Sequence, residues 1–307
     1  MRALQLSTGT NELSVGVIIP AYNRPDDVGK AVASVLAQTR LPERIVLIDD
    51  GSDEPLTPDP IWRSATTIDI IRLPTNSGAA AARQAGLDVL DTTHVAFLDA
   101  DDAWLPAKLA RQVDHINSLA NPGQTALACG WISTAGDGTT LGRRMPRPSR
   151  SLADFCSGCW YCPGSTVLMP RAPLVAIGGY DPRLRRLEDL DLFLRLALSG
   201  CVIAVTPVFG ASIRQGQNAR RRDVDPAAAL LRTKFLSAGS RDVIDPDMQR
   251  KLDSWLCVEE AAAAYNEAHY TRAINRMLCS LRRVPRLSIQ LSDWWHQPAN
   301  VAVTYDP

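Results

Sequence analysis

The chain carries no surplus of either charge: Lys+Arg and Asp+Glu each number 33 in 307 residues. A nucleic-acid binder needs a basic surface, so this balance excludes nucleic acid as the main partner. No apolar run is long enough to span a bilayer. The densest, Cys201 to Ile213, is short and interrupted by Pro207. The opening stretch, Met1 to Asn11, is polar and lacks the apolar core and cleavage site of a secretory leader. These absences lead us to expect a cytoplasmic protein, working in solution or at the inner face of the cytoplasmic membrane.

Two kinds of site are also missing. The seven cysteines are an odd number in a chain without a leader, so disulfides are a poor expectation. Cys156, Cys159 and Cys162 are spaced as zinc ligands often are, but no second pair completes a set of four. They read instead as small apolar residues near a helix end. The loop after the first apolar run, Pro20-Ala-Tyr-Asn-Arg-Pro25, has no glycine cradle for a phosphate. Any phosphate bound there must be neutralised by something else.

What is present is an ordinary globular composition, 46% hydrophobic and 21% charged. The length suits one large α/β domain with an appendage. Val15–Ile19, Ile45–Ile48, Ile68–Leu73 and Val95–Leu98 read as continuous apolar strands. Between them, Asp26–Gln38 and Gly78–Leu90 read as helices. Buried strands alternating with helices predict a mostly parallel sheet covered on both faces, with ligands beyond the carboxyl ends of the strands. Thr125–Ser133 and Ser165–Pro170 are further strands, and Leu187–Ser199 is a helix with acids at its start. The charged run Arg220–Asp225, ending at Pro226, marks a boundary, and the chain beyond it reads helical as far as Arg283.

Three acidic groups fall where such a sheet binds ligands. Asp99-Ala-Asp-Asp102 crowds three carboxylates at one strand end, which is costly unless a cation sits among them. A hard cation, Mn2+ or Mg2+, bridges carboxylates to phosphates. The competing reading is a solvated turn capping a helix from Trp104 to Leu119. Asp49-Asp50-Gly51 is either a simple Asp-Gly turn or a carboxylate that accepts from a nucleobase. Glu188-Asp189-Leu-Asp191 either satisfies a helix dipole or supplies a general base.

The order of these pieces decides between the readings. Val17-Ile-Ile-Pro-Ala-Tyr-Asn-Arg24, Ser34-Val-Leu-Ala-Gln38, Ile48-Asp-Asp-Gly-Ser52, Asn76-Ser-Gly78 with Ala82, Arg83 and Gly86, Phe97-Leu-Asp-Ala-Asp-Asp-Ala-Trp104, Gly178-Gly-Tyr-Asp181 and Glu188-Asp-Leu-Asp-Leu192 together resemble the family-2 glycosyltransferases. The resemblance runs from about Val15 to about Asn218. It implies the α/β GT-A fold, with a mostly parallel central sheet flanked by helices, over residues 1–222, and leaves residues 223–307 as a C-terminal helical extension. It also implies inverting transfer from a nucleotide-diphospho-sugar, UDP-, dTDP- or GDP-linked, to a hydroxyl of a glycan or lipid-linked acceptor, as in bacterial surface polysaccharide or lipopolysaccharide synthesis.

The same resemblance assigns roles. Pro20, Ala21 and Tyr22 line the nucleoside pocket, and Asp50 bonds the base. Arg83 lies near the nucleotide. Asp99 faces the ribose or donor sugar and shares the metal with Asp101, the better ligand. Asp189 is the base, with Glu188 and Asp191 as runners-up. Relatives often carry a His after the last strand that approaches the metal. Here Gln215 stands in that stretch, so the donor must help complete the coordination, and Arg214 is expected to face the diphosphate in compensation. His94, His115, His269 and His296 do not cluster and read as structural or surface residues.

Arg143–Arg150 reads as a solvated loop, with contact to an anionic acceptor as the sharper alternative. The tail, Ala261–Trp295, suits packing on the catalytic domain, a homodimer, or peripheral membrane contact. Two other functions compete with sugar transfer. A sugar nucleotidyltransferase would release pyrophosphate and would want the Gly-rich basic loop that is missing. A noncatalytic nucleotide-sugar or glycan-binding protein would have no need for Asp50, Asp99, Asp101 and Asp189 together.

Overall fold

Alternate residues of a strand face opposite sides, so a strand apolar at every position must be covered twice. The first strand, β1 (Val15–Ala21), is buried almost throughout, as is β2 (Arg44–Asp49). In the computed structural model, which describes residues 13–62, 66–156, 164–215, 219–237 and 244–285, both strands lie inside a layered α/β fold. Helix α1 (Pro25–Leu36) connects them, opening on a proline with Asp26 and Asp27 in its first turn, both favourable at a helix start. Then come β3 (Thr67–Arg72), α2 (Ala79–Val89), β4 (His94–Phe97), the two-residue β5 (Ala103–Trp104) and α3 (Lys108–Asn117). The middle holds β6 (Thr125–Thr134), β7 (Thr140–Arg144), α4 (Leu152–Cys156), β8 (Leu168–Pro170) and α5 (Arg171–Ala176). The described residues end with α6 (Glu188–Leu198), β9 (Val202–Arg214), α7 (Arg221–Phe235), α8 (Pro246–Asn266) and α9 (Tyr270–Arg283).

The sheet order is β3-β2-β1-β4-β8-β6-β9-β5, with β7 added to β6. The four strands from β1 to β4 are parallel, as their continuous apolar runs predict. The rest is mixed: β6 runs parallel to β9, while β8, β7 and β5 join antiparallel. The basic stretch read as a loop begins as a strand, since Arg143 and Arg144 pair with β6.

Two apolar clusters occupy the two faces. Val17 and Ile19 of β1 lie with Ile45 and Leu47 of β2 under α1 and α3. Ile18, Val46, Ile48 and Phe97 lie on the other face with residues of α2 and α6. That second cluster also contains Ala227, Ala228, Leu231 and Phe235 of α7 and Leu252, Trp255 and Leu256 of α8. The boundary drawn between residues 222 and 223 thus falls within α7, and helices of the extension share the core of the sheet. Helix α9 buries Ala273 and Ser280 and leaves Tyr270, Ile274 and Leu278 exposed. No helix among the described residues is long and apolar enough to cross a membrane. Cys156 is buried in α4. Cys159, Cys162, His296 and the Trp294-Trp295 pair lie outside the described residues.

Helix α2 approaches β1 through Gly86, where a Cβ would meet Ile18 Cγ2 at 2.6 Å. Gly86→Ala is therefore expected to destabilise the fold by about 1–3 kcal/mol, the cost of overpacking a filled core. A urea unfolding midpoint equal to that of the wild type would contradict this.

Candidate active site

The loops leaving β1, β2 and β4 emerge at one edge of the sheet, and the start of α6 joins them. Between them lies a pocket of about 820 Å³. Pro20, Ala21, Tyr22, Asp50, Arg83, Asp99, Asp101, Glu188 and Asp189 all line it. The structure thus gathers most of the residues picked out in the sequence.

Arg83 is the joint. It comes from α2 and is only 4% exposed. Its Nη2 donates to Asp99 Oδ1 at 2.7 Å and its Nη1 to Glu188 Oε1 at 2.9 Å. Asp189 Oδ1 lies 3.9 Å from the same Nη1. The guanidinium also sits 5.6 Å from the centre of the Tyr180 ring. These neighbours hold Arg83 charged despite its burial.

Asp189 itself keeps 22% of its side-chain surface open. Protein packed round its carboxyl raises its pKa to about 7, with Glu188 and Asp99 adding to the rise and Arg83 and Arg186 opposing it. A carboxyl poised near neutrality suits a general base. Asp191, two residues on, does not reach the pocket. It is fully buried and paired with Arg195 at 2.5 Å and with Lys234 of α7. Helical geometry puts it about 200° round the axis from Asp189, which removes it as a base.

The acidic turn is neither a solvated loop nor a helix cap, because α3 starts only at Lys108 with Ala107 at its cap. Each of its carboxylates has its own arrangement. Asp99 pairs with Arg83 and Asp101 with Arg24. Asp102 is buried, accepts from Ser165 Oγ at 2.6 Å and from the Arg214 backbone N–H at 3.0 Å, and does not line the pocket. Burial together with Asp99 and Asp101 pushes its pKa up to about 8. The turn thus presents two carboxylates to the pocket, Asp99 and Asp101, each facing an arginine. Ser165 fixes the turn, since its Oγ accepts the Asp99 N–H at 3.1 Å and its carbonyl accepts Trp104 Nε1–H at 2.8 Å.

Arg24 belongs to the first sequence motif, but the resemblance assigns it no role. The sign available there was a lone cation in the loop facing the acidic turn. Arg214 was expected at the diphosphate, but its guanidinium makes two bonds to Asp27, at 3.0 and 2.9 Å, and does not line the pocket. Arg143 and Arg144, in the basic stretch, do not line it either.

Asp50 is buried beside Gly51, whose φ of +71° lets the 75–76 backbone come close. Its two oxygens accept the N–H groups of Ser77 and Gly78, each at 2.8 Å. A carboxylate has about four lone-pair positions, so acceptor capacity toward a base remains. Asp49 is a structural residue: Ser52 N–H, Leu56 N–H and Arg72 all donate to it.

Among the described residues, no three His, Cys, Asp or Glu side chains are grouped to hold a metal ion. Asp99 and Asp101, 34% and 21% exposed, supply two hard oxygen donors facing the pocket. That set fits Mn2+ or Mg2+ when substrate phosphates complete the shell.

Residues 16–174, just over half of the chain, match glycosyl transferase family 2. The chain belongs to that family. It is similar to the pre-mycofactocin glycosyltransferase of Mycobacterium tuberculosis, at 27% identity over 66% of this chain and 43% of that protein. It is also similar to the amylovoran biosynthesis glycosyltransferase AmsB of Erwinia amylovora, at 26% identity over 60% of this chain and 64% of that one. The chain therefore spans less than two thirds of either relative. Among solved structures, S. aureus TarS 1-349 in complex with UDP-GlcNAc superposes with a TM-score of 0.62 at 16% identity, covering 89% of this chain and 82% of that one. That likeness is one of fold, and it is the GT-A fold expected of family 2.

Arg83→Ala would leave Asp99, Glu188 and Asp189 facing one another around an empty space. The expected loss of stability is about 3 kcal/mol or more, as for other broken buried ion pairs. A denaturation midpoint within error of the wild type would contradict the pairing.

Proposed function

We propose that this family-2 chain is an inverting glycosyltransferase that moves a sugar from a nucleotide-diphospho-sugar to a hydroxyl of a glycan or lipid-linked acceptor, in bacterial surface polysaccharide synthesis. The observation that carries the proposal is the shared pocket. Asp189, with its pKa near 7, lines the same cavity as Asp99 and Asp101, and Pro20, Ala21, Tyr22 and Asp50 line it too. Relatives named for pre-mycofactocin and amylovoran point to glycan or glycoside products. The UDP-GlcNAc complex of TarS makes UDP-sugars the first donors to try.

In this reading Tyr22, Pro20 and Ala21 hold the nucleoside and Asp50 accepts from the base. Arg83 holds Asp99 against the donor end. Asp189 takes the proton of the acceptor hydroxyl as its oxygen attacks the anomeric carbon. The bond from that carbon to the diphosphate oxygen breaks, the nucleoside diphosphate leaves, and attack from the opposite face inverts the configuration. Mn2+ or Mg2+, bound by Asp101 and Asp99 with the phosphates, would supply Lewis-acid stabilisation of the departing charge.

Asp189→Asn is expected to lower kcat by about 10²–10⁴-fold while UDP-sugar binding persists. For the wild type, only the ionised carboxylate can accept a proton. Its kcat/KM should therefore fall as pH drops below about 7 and level off above it. Release of nucleoside diphosphate from UDP-, GDP- and dTDP-sugars with Mn2+ measures both. Release of pyrophosphate, or full transfer by Asp189→Asn, would overturn the reading. Full Mn2+-dependent transfer by Asp101→Ala would overturn the metal assignment alone.

A further inference from the structure

The pocket has a wall that the strand-end loops do not make. Helix α8, in the C-terminal extension, contributes Trp255 and Glu259, one helical turn apart on one face. Arg186, just before α6, lines the same pocket. Among the described residues, Glu259 and the exposed Arg186 make no hydrogen bond or ion pair to protein. The next acid along the helix, Glu260, contrasts with this: it is buried and bound to Arg232 at 2.9 Å. Burial raises the pKa of both Asp189 and Glu259, and Arg186 lies near enough to each to oppose that rise. An acid and a guanidinium that make no hydrogen bond to protein among the described residues thus share the pocket with the base.

We propose that Glu259 and Arg186 form a subsite for the hydroxyls of an uncharged saccharide acceptor, bounded by Trp255, so that the helical extension takes part in choosing what is glycosylated. A carboxylate accepts from two neighbouring hydroxyls, and a guanidinium donates to hydroxyl or ring oxygens. Opposite charges side by side favour a neutral polyol. Glu259 repels an anion, Arg186 repels a cation, and an aromatic wall suits the apolar face of a sugar ring. Asp189 would then meet the hydroxyl that this subsite orients. The proposal rests on the sugar-transfer reading of the pocket.

The test uses the full chain loaded with UDP and Mn2+, which cannot turn over. Binding of p-nitrophenyl glucoside, galactoside, N-acetylglucosaminide and rhamnoside is followed by saturation-transfer NMR and titration. Glu259→Gln, Glu259→Ala and Arg186→Ala are each expected to weaken the best-bound glycoside at least tenfold. Equal glycoside affinity in all three variants and the wild type, or no glycoside bound by the wild type, overturns the subsite. UDP affinity, read in the same samples, reports separately on the parent reading. A wild type that binds glycosides through Glu259 but no nucleotide supports the subsite and overturns sugar transfer.

Discussion

The buried guanidinium of Arg83 is the constraint on which the site depends. A cation that is 4% exposed is tolerable only among acids, and acids so close together are tolerable only around a cation. Arg83 thereby joins three stretches far apart in sequence: α2, the turn after β4 and the first turn of α6. The same charge tempers Asp189. Burial raises its pKa and Arg83 pulls it back, leaving a value near neutrality where neither effect alone would put it. One interaction thus serves both architecture and acid–base poise.

Each carboxylate of the acidic turn has a protein partner. Arg83 answers Asp99, Arg24 answers Asp101, and the buried Asp102 accepts from Ser165 Oγ and the Arg214 backbone N–H. Three crowded carboxylates need cationic partners, and arginines supply two of them. On the proposed reading, a divalent ion would join Asp99 and Asp101 when a diphosphate enters, because the phosphates bring charge that two arginines already engaged with carboxylates do not fully offset.

Much of the donor end could be read from the sequence because it is local. Continuous apolar runs give β1, β2, β3 and β4, and the polar residues that follow them must lie at the sheet edge. Pro20, Tyr22, Asp50, Asp99 and Asp101 meet there for that reason. Harder to see were pairings that depend on two distant segments. Arg214 looked free in the sequence, but the end of β9 lands beside α1, where Asp27 takes its guanidinium. Asp191, a runner-up to Asp189 in the sequence, is turned by the helix onto Arg195 and Lys234. Arg24 had no visible partner because Asp101 lies 77 residues away.

The acceptor side was hidden for a different physical reason. Helix α8 has no single apolar stripe, because several of its faces are in use. Leu252 and Leu256 enter the core of the sheet, Glu260 binds Arg232, Ser254 meets Ser280 of α9 at 2.8 Å, and Trp255 and Glu259 line the pocket. A helix used on several sides shows weak periodicity, so its functional face cannot be read from pattern. The consequence is a division of labour along the chain. The strand-end residues proposed to hold the nucleotide lie within residues 16–174, the part that matches the family, whereas Asp189, Arg186 and Glu259 all come later. Because α7 and α8 share an apolar cluster with β1, this later part is held rigidly against the donor end. If the proposed subsite is right, acceptor preference would change through the helices while the strand-end loops stay as they are.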